Sequence, residues 1–102
     1  MSTVYTLSGV VAAVKAPYVQ SNGREHRDLV VENEVECTPP RTQPVVVGFS
    51  GRRVALLDGL RIGDRVTVSF GISGRVVVGR DSVPRHVVSL YGLGLTVEPP
   101  HP

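Results

Sequence analysis

The chain contains no tryptophan, one cysteine and one lysine, and only 5% of its residues are aromatic. Any surface that stacks rings must therefore draw on three tyrosines and two phenylalanines. The lone Cys37 cannot close an internal disulfide, and with no cluster of Cys and His at metal-ligand spacing the chain is expected to hold no metal or other cofactor and to reside in the cytoplasm. No stretch approaches the ~20 apolar residues of a membrane span. Residues 1–7 lack the basic-then-apolar pattern of a leader, so a soluble protein without membrane contact is expected.

Catalytic chemistry is also poorly supplied. The histidines stand apart, Cys37 lies in an acidic, proline-rich stretch that disfavours a thiolate, and no pair of carboxylates sits on a recognisable scaffold. Ser50-Gly51 has no nucleophile-elbow context, and the glycines form no phosphate-cradling motif. The chain is not expected to be an enzyme.

What is present is a chain of 102 residues in which 11 Gly and 8 Pro punctuate short valine-rich runs. That pattern predicts an all-β fold with tight turns, in one domain over residues 1–97 and a disordered Pro-rich tail over 98–102. A first strand is expected over 4–14, interrupted by Gly9, where a small barrel can bend one strand to pair with both of its halves. Residues 17–24 carry an Asn22-Gly23 turn and form a first loop. A second strand follows near 26–32, and the prolines and acids of 34–43 place a loop there.

A third strand, 45–49, carries Val45, Val47 and Phe49 on one side. Ser50 is then a candidate N-cap for a helix over about 52–60 with Val54 and Leu57 facing inward, ended by Gly59 and Gly63. The fourth strand alternates cleanly, with Val66, Val68, Phe70 and Ile72 inward and Arg65, Thr67, Ser69, Ser73 and Arg75 outward. Residues 78–84 form a hairpin tip and 85–97 a fifth strand. A short helix between the third and fourth of five strands predicts a five-stranded OB-fold Greek-key barrel, a fold whose usual ligand is a single-stranded nucleic acid.

With the strands placed, the chain resembles a bacterial OB-fold domain family of unknown function related to single-stranded-DNA-binding proteins and primosomal replication protein. The matching residues are 45–49, Ala55-Leu56-Leu57 and Leu60, 63–70, Ser73-Gly74-Arg75 and Ser89-Leu90, joined more loosely by 7–11 and 27–32. The resemblance implies an OB-fold and single-strand binding. Members usually present Trp or Tyr on strands three and five, where this chain holds Phe49 at one such position.

Net charge is +2 with a pI near 9.1, which permits a nucleic-acid partner without compelling one. The basic residues are almost all Arg, suited to phosphate forks and base stacking. Arg24, His26 and Arg27 by the first loop and Arg75, Arg80 and Arg85 on the last hairpin either converge on one phosphate track or are scattered solvated side chains. Tyr18, Phe49 and Tyr91 are candidate stacking rings, Phe49 being more readily read as a core or rim side chain because Val45 and Val47 share its face. Arg52 and Arg53 at the helix start are read as solvated. These nine candidates, Tyr18 to Tyr91, predict weak binding of single-stranded DNA or RNA with little sequence preference, in a homodimer or tetramer that lengthens the track. The alternatives are an OB module that contacts another protein, or one for an oligosaccharide, which would need a deep polar pocket.

Overall fold

A computed structural model describes residues 3–99. Six strands occur there, β1 (Tyr5–Val14), β2 (Tyr18–Val19), β3 (Glu25–Val35), β4 (Arg41–Ser50), β5 (Arg65–Val78) and β6 (Pro84–Val97). A 3-10 helix, Gly51–Leu57, joins β4 to β5.

β1 makes the sheet a barrel. Its second half pairs with β3, from Gly9↔Asn33 to Val14↔Leu29, and its first half with β5, from Tyr5↔Phe70 to Val10↔Arg65. Gly9 and Val10 belong to both ladders. A Cβ at Gly9 would run into the backbone carbonyl of Glu32, so the crossing is open only to glycine. The remaining order, β5-β6-β4-β3, completes the ring, and the two-residue β2 hangs on the outer edge of β3. Where β4 meets β6 there is a single parallel pair, Gly48↔Tyr91. Five long strands closed in this order, with one short helix between the third and fourth, form an OB-fold.

Alternation fills the interior. Leu29 and Val31 of β3, Val47 and Phe49 of β4, and Val66 and Val68 of β5 are withdrawn completely from solvent. Each such side chain contributes about 1.5–3 kcal/mol relative to exposure. Val54 and Leu57 of the helix join them as the plug at one end of the barrel.

Several local expectations are corrected. The helix is 3-10 rather than α and ends at Leu57 instead of residue 60. Its two buried residues are three apart, and in a three-residue turn i and i+3 eclipse, so one tight turn suffices to bury both. Ser50 makes no capping hydrogen bond. Ile72 is not inward but 49% exposed, because the β5–β6 hairpin runs past the end of the barrel and its inward phase has no core left to meet. The stretch 34–43 is shorter as a loop than expected. Glu34 and Val35 pair with Thr42 and Arg41, and Pro44 stands in the ladder opposite Glu32. β4 pairs with β6 only at Gly48, so Pro44 needs no donor on its other side.

The Glu98 amide donates to the Arg65 carbonyl at 2.9 Å, which ties down the first residue of the tail. Residues 100–102 of the tail lie outside the described residues. No helix among the described residues is long and apolar enough to cross a membrane.

The crossing at Gly9 yields a paired prediction for urea unfolding. Gly9→Ala is expected to cost about 1–3 kcal/mol because the backbone of β1 or β3 must shift. Gly74→Ala, where an added Cβ meets nothing within 4 Å, is expected to be neutral or to gain about 0.4–1 kcal/mol. Equal effects at the two positions would contradict the double pairing of β1.

Candidate functional site

β4 and β6 diverge on either side of Gly48↔Tyr91, and the space between them is a groove of about 600 Å³. The short hairpin of β2 and β3 forms one wall and the projecting β5–β6 hairpin the other. Tyr18, His26, Arg75 and Tyr91 line it, four residues that the sequence marks as candidates. They reach it from β2, β3, β5 and β6.

The floor explains how rings come to lie here. His26 packs over Gly48, where a Cβ would stand 2.6 Å from Cε1 of the imidazole. Tyr91 lies over its cross-strand partner Gly71, and a Cβ at Gly71 would collide with the phenol ring. Both rings are thus pressed against backbone on one side. Tyr18 stands 5.2 Å from His26 between ring centroids and tilted by 52°. It is 50% exposed and Tyr91 43% exposed, so each presents apolar ring surface to the groove.

His26 is held by two hydrogen bonds, Nε2 to Asp28 Oδ1 at 2.9 Å and Nδ1 to Ser50 Oγ at 2.8 Å. A carboxylate only accepts, so the neutral ring donates from Nε2 to Asp28 and accepts the Ser50 hydroxyl at Nδ1. The arrangement orients the ring and engages the one acidic side chain lining the groove. Neither Asp28 nor Ser50 stands out in the sequence as a functional residue. Phase alone places Asp28 on the face of His26, but Ser50 joins them only through the His26↔Ser50 pairing, which needs the β3–β4 register.

The other candidates fall elsewhere. Phe49 is corrected from a stacking ring to a core side chain. It has 0% exposure and fills the space left by Gly92, where a Cβ would overlap its ring. Arg27 is likewise removed from the phosphate track. It shares the inward phase of Leu29, donates from Nε to the Lys15 carbonyl at 2.7 Å, and has Nη1 3.7 Å from Asp58. Arg24 lines a second cleft at the Ser50 end of the groove. Arg85 shares the face of Arg75, since each lies opposite a residue on that face, but its guanidinium binds Asp81 at 2.8 Å. Arg80 is exposed at the hairpin tip.

No family model matches the sequence, and no curated protein matches it. The fold does have solved counterparts. The mitochondrial single-stranded DNA binding protein Rim1 of S. cerevisiae, in its first crystal form, superposes with a TM-score of 0.74 at 12% identity, over 95% of this chain and 96% of that one. Its second form gives a TM-score of 0.74 at 12% identity, over 95% of each chain. At this identity the likeness is one of fold: the chain is an OB-fold of the kind found in single-stranded DNA binding proteins.

The contact of Tyr91 with Gly71 is open to a double-mutant cycle by urea unfolding. Gly71→Ala is expected to cost about 1–3 kcal/mol by overpacking. In a Tyr91→Ala background most of that loss should disappear, because the colliding ring is gone. Strictly additive losses would show that the ring does not rest on the glycine.

Proposed function

We propose that this protein binds single-stranded nucleic acid, DNA foremost, with little sequence preference, as a non-enzymatic accessory factor in replication, recombination or repair. The observation that carries the proposal is the meeting of Tyr18, His26, Arg75 and Tyr91 in one groove, between the two hairpins through which OB-folds take oligonucleotides. The likeness of fold to Rim1 supports it. Kinship with the bacterial family related to primosomal replication protein, and a cytoplasmic location, belong to the same proposal.

The physics is stacking plus phosphate contact. Tyr91 and Tyr18 offer ring faces, each worth about 1–3 kcal/mol per stacked base. Arg75 and Arg24 supply charge along the groove, with Arg80 and Arg85 further out on the hairpin. Ring faces and phosphates are common to all sequences, so little base preference follows. Because two rings and a few arginines hold a strand weakly, a homodimer or tetramer would lengthen the track. The first residues of β1 pair only with β5 and leave an edge for such pairing.

A second function, docking of another protein, is favoured by one observation. The hairpin face that continues the inward phase beyond the barrel carries Ile72, Val76, Val78 and Val88, all at least 49% exposed.

Fluorescence anisotropy with labelled oligo-dT separates the two. The proposal expects binding at low salt that weakens with a log–log slope of about −0.7 per neutralised phosphate. Tyr91→Ala should lower affinity by about 1–3 kcal/mol, and Arg24→Ala/Arg75→Ala should flatten the slope. No binding at low salt, or variants indistinguishable from wild type, would overturn it. Light scattering tests the assembly, for which a monomer at tens of micromolar would be contrary.

A further inference from the structure

The groove does not end at Gly48↔Tyr91. Beyond that pair, toward the carboxyl ends of β4 and β6, a second cleft of about 240 Å³ shares Gly48, Ser50 and Tyr91 with it and is bounded by Arg24 and Arg53. Arg24 comes from the β2–β3 turn and Arg53 from the 3-10 helix. The Arg24 guanidinium lies against the turn at Gly51, where a Cβ would stand 2.9 Å from Nη2. That residue has φ 61°, so the backbone turn itself favours glycine.

Neither arginine is in an ion pair among the described residues. Arg27 and Arg85, by contrast, are each engaged by an aspartate. Two unpaired arginines lining one cleft concentrate positive charge there, and an anion bound between them offsets it. The hydroxyl of Ser50 is directed to the His26 ring at the junction of the two cavities, and among the described residues no acidic side chain lines the second one. Arg carries a planar fork of donors that matches phosphate oxygens.

We infer that this cleft is a phosphate subsite, in which Arg24 and Arg53 hold a backbone phosphodiester of the strand whose base rests on Tyr91. The inference deepens the single-strand reading above and rests on it. It gives Arg53, on its sequence position a solvated side chain, a binding role. It also fixes where along the groove the backbone runs: over the Ser50 end of the seam, with the bases toward Val46 and Val88.

The test is anisotropy on full-length protein with short oligo-dT in which one linkage at a time is replaced by a neutral methylphosphonate. In wild type, one position is expected to lose about tenfold in affinity, the scale of one charge-assisted contact. In Arg24→Ala and Arg53→Ala the same replacement should have little further effect, while each variant alone loses about tenfold and flattens the salt slope by about 0.7. Arg41→Ala, at the start of β4 and away from the seam, should stay within about twofold of wild type.

Oligo-dT with a 5′-hydroxyl, a 5′-phosphate or a 3′-phosphate distinguishes the source of the phosphate. Equal affinity of the three supports an internal phosphodiester, and tighter binding of one phosphorylated end, with no sensitive internal linkage, would overturn that assignment in favour of a terminal phosphate. Wild-type binding with Arg24→Ala and Arg53→Ala unchanged would overturn the subsite alone. Wild-type protein that binds no oligo-dT at low salt would overturn both the subsite and the function it rests on.

Discussion

The structure turns on close approaches of rings to glycine along the β4–β6 seam. Two strands that meet in one parallel pair have little ladder to hold them. Phe49 of β4, lying across Gly92 of β6, completes the join. On the inside Phe49 covers Gly92, and on the outside His26 covers Gly48 and Tyr91 covers Gly71. Each contact needs a residue without Cβ, and each brings a ring against backbone. The inner ring becomes core. The outer two, which lie within the β3–β4 and β5–β6 pairs that flank the seam, become the walls of the groove.

The second determinant is which charges are already engaged. A net charge of +2 spread evenly would make a feeble field. Asp58 lies by Arg27 at the helix end, Asp81 binds Arg85 at the hairpin tip, and Asp28 accepts from His26. The exposed Arg85–Asp81 pair contributes little to stability. The effect of these contacts is on distribution. Among the described residues they leave Arg24, Arg53 and Arg75 around the seam without acidic partners, while Glu32, Glu34 and Glu36 border a separate cavity near β1. A modest overall charge thus resolves into a basic seam and an acidic end.

Much of this was legible in the residues. The Gly9 interruption, the alternation from Val66 to Phe70, the inward Val54 and Leu57, and a hairpin tip read at 78–84, which the Val78↔Pro84 pair narrows, all follow from short-range pattern, and the order of elements along the chain points to the barrel. What pattern could not supply was pairing. Phe49 has the phase and neighbours of either a core or a rim residue, and only the presence of Gly92 opposite makes it core. Ile72 continues a perfect alternation past the point where the barrel stops. Arg27 and His26 are adjacent in sequence yet point to opposite faces, and Arg53 gains a context only from the cleft it shares with Arg24. Period predicts which residues share a face, whereas register and closure decide what that face meets.

The central claim is that the β4–β6 seam is the surface that receives a single strand. Backbone amide shifts of isotopically labelled protein titrated with oligo-dT test it most directly. The account predicts that shifts concentrate on residues 18–28, 48–53, 73–75 and 88–92. Shifts confined to the apolar hairpin residues Ile72, Val76 and Val78, to the acidic end around Glu32–Glu36, or absent at saturating oligonucleotide would contradict it.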